Sequence, residues 1–208
     1  MTPSILTITG PSCAGKSTLE KVLNEKGFEK LISHTTRAAR RGERSGENYH
    51  FVDDLTFQRM KNAGEFIETT VFNGSKYSIS AMEVKKASSL GKMAIAVVEP
   101  HGMKQIRSFC TNNGWRFFSV FLDGNNDEIA ARFVERIRYD THGDIDIYAK
   151  RMSAILTIEQ CWRRDAWEAE ASGSSLYDLV ISEFNLLVQS KVLEKIMSLT
   201  SSKEHQHA

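Results

Sequence analysis

Short, nearly unbroken apolar runs alternate along this chain with longer stretches of mixed character. Ile5-Leu6-Thr7-Ile8-Thr9, Met93 to Val98, Arg116 to Leu122 and Leu179-Val180-Ile181 predict strands, and the all-apolar run from Met93 suits a central parallel strand buried on both faces. Phe28 to Ser33 predicts a further strand after the first helix. Helices are predicted from Ser17 through Leu23, from about Met103 to Phe109, and from a cap at Asn126 or Asp127 through Arg132 and Arg136. One long helix is expected from about Ile147 to Ala171, and a last one from Leu186 to Leu199. The order of elements predicts an α/β fold in three layers, α/β/α, with a parallel central sheet.

Two stretches break that rhythm. Thr36 to Asn48 is polar, glycine-bearing and rich in arginine, and too long for a simple turn, which marks it as functional. Tyr49 to Val52 then alternates like a strand, and Asp53 or Asp54 is placed to cap a helix through Met60. Glu65 to Phe72 reads as a strand, followed by a turn at Asn73-Gly74 and a short run through Tyr77. These pieces predict a mainly β flap inserted after the second strand. The second break, Tyr139 to Asp146, reads as a mobile loop.

Between the first strand and first helix lies Gly10-Pro11-Ser12-Cys13-Ala14-Gly15-Lys16-Ser17, a phosphate-binding loop of the form G-x-x-x-x-G-K-[ST]. Its glycines let backbone N–H groups turn toward an anionic phosphate, and the helix start adds partial positive charge. Gly10, Ser12, Cys13, Ala14, Gly15, Lys16, Ser17 and Thr18 are the expected nucleotide-binding residues. Lys16 is expected on the outer phosphates, and the Ser17 hydroxyl on a magnesium ion.

Bulk properties narrow the classes. A chain of 208 residues, 41% hydrophobic and 25% charged, suits one globular domain with inserted flaps. A net charge of +1 speaks against a nucleic-acid or membrane-surface partner. Three widely spaced cysteines, Cys13, Cys110 and Cys161, fit reduced thiols. With no leader-like start and no apolar run of membrane length, the expected location is cytoplasmic.

Ser33-His34-Thr35-Thr36-Arg37, then Arg40, Gly42-Glu43 and Gly46 to Val52, resembles the guanylate kinase signature S-x-T-T-R-x-x-R-x-G-E-x-x-G-x-x-Y-x-F-V. Gly10-Pro11-Ser12, Gly64 to Glu68, Tyr77, Gly102, a set of lid arginines and Tyr177 to Ile181 follow that family's order, so the resemblance covers most of the chain. It implies phosphoryl transfer from ATP, with Mg2+, to GMP or dGMP. It implies a core at 1–35, 92–136 and 151–208, a monophosphate-binding flap at 36–91, and a lid at 137–150. Arg37, Arg40 and Tyr49 would grip the acceptor phosphate, since guanidinium forks match phosphate oxygens. Alone, this arginine cluster also fits a solvated or RNA-contacting loop. Glu68 would accept the two adjacent N–H donors of guanine, with Ser33, Tyr77 and Glu99 beside the acceptor. Lys16, Arg132, Arg136 and Arg151 would stabilise the moving phosphoryl group. Arg138, Arg163 and Arg164 are left to surface ion pairs, and Trp115, Trp162 and Trp167 to packing.

Several positions depart from the family pattern. Val97 stands where the first of two carboxylates is expected, leaving Glu99. Pro100 and His101 precede Gly102, Ser78 and Ile79 follow Tyr77, and Glu183 replaces an asparagine near the adenine. A kinase of a modified deoxynucleotide or a ribosyl phosphate therefore stays open beside GMP. So does a non-catalytic binding module, although Lys16 and Ser17 argue against it. The sequence leaves monomer and homodimer equally open.

Overall fold

The computed structural model describes residues 2–39, 42–72, 74–139, 145–182 and 189–202. In order these form β1 (Ser4–Thr9), α1 (Lys16–Glu25), β2 (Glu29–Lys30), β3 (His34–Thr35), β4 (His50–Phe51), α2 (Asp54–Asn62), β5 (Phe66–Phe72) and β6 (Ser75–Ser80). Then follow α3 (Ala81–Ser89), β7 (Ala94–Val97), α4 (Pro100–Asn113), β8 (Arg116–Leu122), α5 (Asn126–Tyr139), α6 (Ile145–Leu156), α7 (Ile158–Ala171), β9 (Leu179–Ile181) and α8 (Gln189–Ser202). A five-stranded sheet has the order β2-β7-β1-β8-β9, and its β2–β7 and β8–β9 pairs are parallel. A four-stranded sheet has the order β4-β3-β6-β5. The fold class is the α/β one expected, with a parallel central sheet.

The chain forms two compact units, residues 1–7 with 24–117 and residues 8–23 with 118–208. In the first, Ile5, Leu31, Ile67, Ile79, Val84, Ala94 and Ile106 form a buried core, and the Trp115 ring meets Phe109 edge-on at 5.1 Å. Helix α2 starts where expected, with the Asp53 carboxylate accepting the Thr56 N–H at 2.7 Å. Helix α4 is longer than the periodicity suggests. Pro100 opens it, where a missing N–H costs nothing, and Gly114 closes it at φ +65°. Between β5 and β6, Phe72 pairs with Ser75 and Gly74 takes φ +76°, as a tight turn requires. Asn73 lies outside the described residues. The flap stretch also carries two full helices, α2 and α3; the latter, with Val84 and Ala87 buried, was not expected from the sequence.

In the second unit Ile129, Phe133, Tyr148 and Ile155 pack together, with Cys13 and Met152 against them. Helix α5 is capped one residue earlier than expected, by Asn125, whose side-chain oxygen accepts the Asp127 N–H at 2.8 Å. The single helix expected over 147–171 is two, broken at Thr157 (φ −123°, ψ −83°). The Thr157 hydroxyl donates to the Ser153 carbonyl at 2.7 Å, competing with the helical ladder, and Gln160 Nε2 takes up the Ile155 carbonyl at 3.3 Å. Most of the expected mobile loop (140–144), the start of the expected last helix (186–188) and Glu183 lie outside the described residues. Cys13, Cys110 and Cys161 are free thiols.

Candidate functional site

The phosphate loop belongs to the second unit and is tethered at successive residues by different elements. Gly10 takes φ +151°, and a Cβ there would stand 1.9 Å from the Leu122 carbonyl oxygen at the end of β8. Only glycine fits so close an approach. The Ser12 N–H and hydroxyl both donate to Glu159 on α7, at 2.8 and 2.7 Å. Cys13 takes φ +63°, its carbonyl accepts Arg132 Nη1 at 3.2 Å, and the Ala14 N–H donates to the Pro11 carbonyl at 3.3 Å. Lys16 Nζ lies on the Gly10 and Pro11 carbonyls, at 2.8 and 2.7 Å. Ser17 and Thr18 are exposed in the first turn of α1. The Ser12 and Ala14 amides, both expected on phosphate, are thus engaged within the protein.

This donor set suits a triphosphate: an ammonium group, a helix start and a loop whose glycine admits close backbone approach. A magnesium ion fits it through one hydroxyl, Ser17, because that ion keeps phosphate and water oxygens for most of its shell. Among the described residues no cluster of three or more His, Cys, Asp or Glu could hold a metal alone.

Of the expected lid-side arginines, Arg132 is half-buried and paired with Glu128 at 2.9 Å, besides its bond to Cys13. Arg136, one turn on, is exposed on α5, and Arg151 is half-buried on α6. Arg163, assigned from sequence to the surface, is instead in a largely buried ion pair. Its Nε lies 2.6 Å from Asp123 Oδ1, with side chains 17% and 6% exposed. Trp167 is 39% exposed rather than packed away, and its indole N–H donates to Asp123 Oδ2 at 2.8 Å. Arg164 is a surface residue, as expected, near Glu168.

The residues expected on the acceptor side belong to the first unit. Arg37 Nη2 bonds Glu43 Oε1 at 2.9 Å, and its guanidinium lies 5.4 Å from the Tyr49 ring centroid and 5.7 Å from that of Phe51. Tyr49 and Tyr77 meet edge-on at 5.9 Å, and Tyr77 also hydrogen-bonds Arg37. Arg37, Tyr49 and Tyr77 therefore form one cluster. Arg40 lies outside the described residues. Glu43 completes the cluster; it stood in the quoted motif, but sequence alone gave it no role. Burial pushes the Tyr49 phenol up, and the bond to Glu43 pushes Arg37 further up.

Glu68 owes its aim to an irregularity in β5. Phe66 pairs with Ser80 but Glu68 with Ile79, so one extra residue, Ile67, is accommodated between them. In regular alternation Ile67 and Glu68 would face opposite sides. The bulge lets both be buried, Ile67 in the core at 5% exposure and Glu68 at 6%. The Thr70 hydroxyl donates to Glu68 Oε2 at 3.2 Å, and that oxygen would lie 3.2 Å from a Cβ on Gly102 in the first turn of α4. Burial raises the carboxyl to about 7; the Thr70 and Ile79 hydrogen bonds lower it, and the charge of Glu99 raises it. Glu99 stands at the cap of α4, and Val97 ends β7, half-buried. Ser33 is half-buried just before β3, with its carbonyl on the His50 N–H at 2.9 Å. Ile79 sits in the core at 1% exposure, so the hydroxyl absent there is replaced by apolar packing. The buried Ser78 hydroxyl donates to the Glu68 carbonyl.

Comparison with known proteins agrees with these motifs. The family sequence model described as guanylate kinase matches residues 2–199. The guanylate kinase of Methylobacillus flagellatus is 36% identical over 156 residues, 74% of each chain. That of Schizosaccharomyces pombe is 38% identical over 104 residues, 49% of this chain and 52% of that protein. The matched segment thus spans about half the length of several curated relatives, human guanylate kinase included at 55%. Among solved structures, guanylate kinase from Anaplasma phagocytophilum superposes with a TM-score of 0.62 over 98% of this chain and 87% of that one. At 24% identity that likeness speaks for the fold.

Proposed function

The chain belongs to the guanylate kinase family, and on that premise we propose that it transfers the γ-phosphoryl group of ATP to GMP or dGMP, giving GDP or dGDP. The observation that carries the acceptor base is Glu68, a carboxylate 6% exposed with its own hydrogen-bond donors on β5 and β6. Guanine offers two neighbouring N–H groups to such a carboxylate, and adenine does not. A base that brings no N–H pair to the remaining acceptor positions of this buried carboxylate is rejected by a factor of up to roughly ten thousand.

In the proposed reaction Arg37, Arg40 and Tyr49 hold the acceptor phosphate, with Glu43 fixing the Arg37 fork. Tyr77, Ser33 and Glu99 flank the nucleotide. An acceptor phosphate oxygen attacks the γ-phosphorus, the bond to the β-γ bridging oxygen breaks, and ADP leaves. The attacking oxygen is already anionic, so no general base is needed. Lys16, Arg132, Arg136 and Arg151 offset the negative charge on the moving group. Magnesium, held through Ser17 and phosphate oxygens, supplies charge neutralisation. We assign 36–91 to the acceptor flap and 137–150 to the lid.

A panel of acceptors tests this reading. With ATP in excess, GMP and dGMP should give ADP, while AMP, CMP, UMP and ribose phosphates should be slower by three or more orders of magnitude. A ribosyl phosphate as the best acceptor would replace the proposed substrate. Binding without turnover of any acceptor would favour a non-catalytic module.

A further inference from the structure

Glu159 lies 147 residues from Ser12, yet both of its carboxylate oxygens are given to that one serine, Oε2 to the N–H and Oε1 to the hydroxyl. It is 6% exposed. Burying a carboxylate is unfavourable unless its oxygens are bonded, and a carboxylate beside a loop meant for polyphosphate is adverse again, since like charges repel. Some gain must offset both.

That gain lies in the backbone of the next residue. Cys13 is the one non-glycine position among the described residues with positive φ, at +63°. Such a conformation strains a residue with a Cβ and persists only where the surroundings hold it. On one side Arg132 takes the Cys13 carbonyl, and the Cys13 side chain rests on the Ile129, Phe133, Tyr148 and Ile155 cluster. On the other side stands Ser12, fixed by Glu159. The break at Thr157 makes Glu159 the second residue of α7, where a helix start favours negative charge.

We propose that Glu159 is a positioning residue of the phosphate loop: by pinning the Ser12 amide and hydroxyl it holds the left-handed turn at Cys13, so that the remaining loop amides are set before the nucleotide arrives. This rests on the nucleotide-binding half of the proposed function. Preorganisation of this kind raises affinity by removing the ordering cost at binding. It also ties α7, and through it the α6 segment carrying Arg151, to the loop.

The test is calorimetric binding of ATP, without acceptor, to the full-length wild type and to Glu159→Ala, Glu159→Gln and Ser12→Ala, with GMP binding measured in parallel. Loss of hydrogen bonds to a charged group predicts ATP binding weaker by roughly ten- to a hundredfold in Glu159→Ala, with GMP binding unchanged within about twofold. Glutamine can accept the Ser12 N–H and donate to the Ser12 hydroxyl, so Glu159→Gln should recover to within about fivefold of wild type. Ser12→Ala keeps one bond of two and should fall between. If thermal melting shows that Glu159→Ala does not fold, the Ser12→Ala loss and the glutamine recovery decide the matter. Unchanged or tighter ATP binding in Glu159→Ala or Ser12→Ala overturns the role, as does a glutamine variant as weak as alanine or a parallel loss of GMP binding. A wild type that does not bind ATP would overturn the nucleotide-loop reading as well; a wild type that binds, with indifferent variants, overturns only the assignment of Glu159.

Discussion

Replacing Glu68 with glutamine should change how stability depends on pH, and the structure gives both sign and size. Burial raises this carboxyl from 4.5 to about 7. Between those values the native state keeps a proton that the unfolded chain releases, so this group's contribution falls as pH rises through the window and levels off above it. At about 1.4 kcal/mol for each pH unit, the shift amounts to roughly 3 kcal/mol at most. His34 works in the opposite sense. It is 9% exposed, and burial, with the nearby His50, lowers it from 6.5 to about 4, against the raising effect of Glu83. Its contribution is present above 6.5 and lost as pH falls toward 4. The two slopes nearly cancel in the wild type. Urea unfolding of wild type and Glu68→Gln at pH 5 and pH 8 separates them. The variant should gain up to about 3 kcal/mol over wild type at pH 8 and under about 1 kcal/mol at pH 5, exposing the His34 slope. A difference between the two proteins that does not move with pH would refute the assigned burial of Glu68. Because guanine needs the carboxylate, GMP affinity of the wild type should also fall about tenfold for each pH unit below 7.

Further outcomes follow from single contacts. Lys16→Ala should remove ATP binding while GMP still binds, as read by calorimetry. Arg37→Lys, which keeps the charge but loses the fork shared with Glu43, should raise KM for the acceptor roughly tenfold or more with the melting temperature little changed. Gly10→Ala should lower yield and stability sharply, because its Cβ would meet the Leu122 carbonyl at 1.9 Å; a soluble variant with wild-type melting would contradict the loop geometry. Trp167→Phe removes the indole donor from the buried Asp123 and should cost about 1–3 kcal/mol in chemical unfolding.

What sequence disclosed was local in origin. The phosphate loop was legible because its chemistry is a matter of glycine, lysine and serine at fixed spacing on one short segment. The strand at Arg116–Leu122 and the cap at Asp53 needed only near neighbours. What escaped depends on partners elsewhere in the chain. Glu68 was legible as a residue but its burial was not, since the bulge at Ile67 exists only in register with Ser80 and Ile79. The break at Thr157 arises from a hydroxyl competing for the Ser153 carbonyl, which periodicity does not register. Glu159 and Asp123 carry no signal in the sequence, because their partners Ser12, Arg163 and Trp167 come from distant parts of the chain. Helix α3 is a different case, because Val84 and Ala87 lie three apart and the signal was there to be read.

The most direct measurement follows the fate of the γ-phosphoryl group. The protein incubated with γ-labelled ATP, magnesium and GMP should carry the label into GDP, with GDP formed in step with ADP. Label appearing as inorganic phosphate, or remaining in ATP while both nucleotides bind, would contradict transfer to GMP.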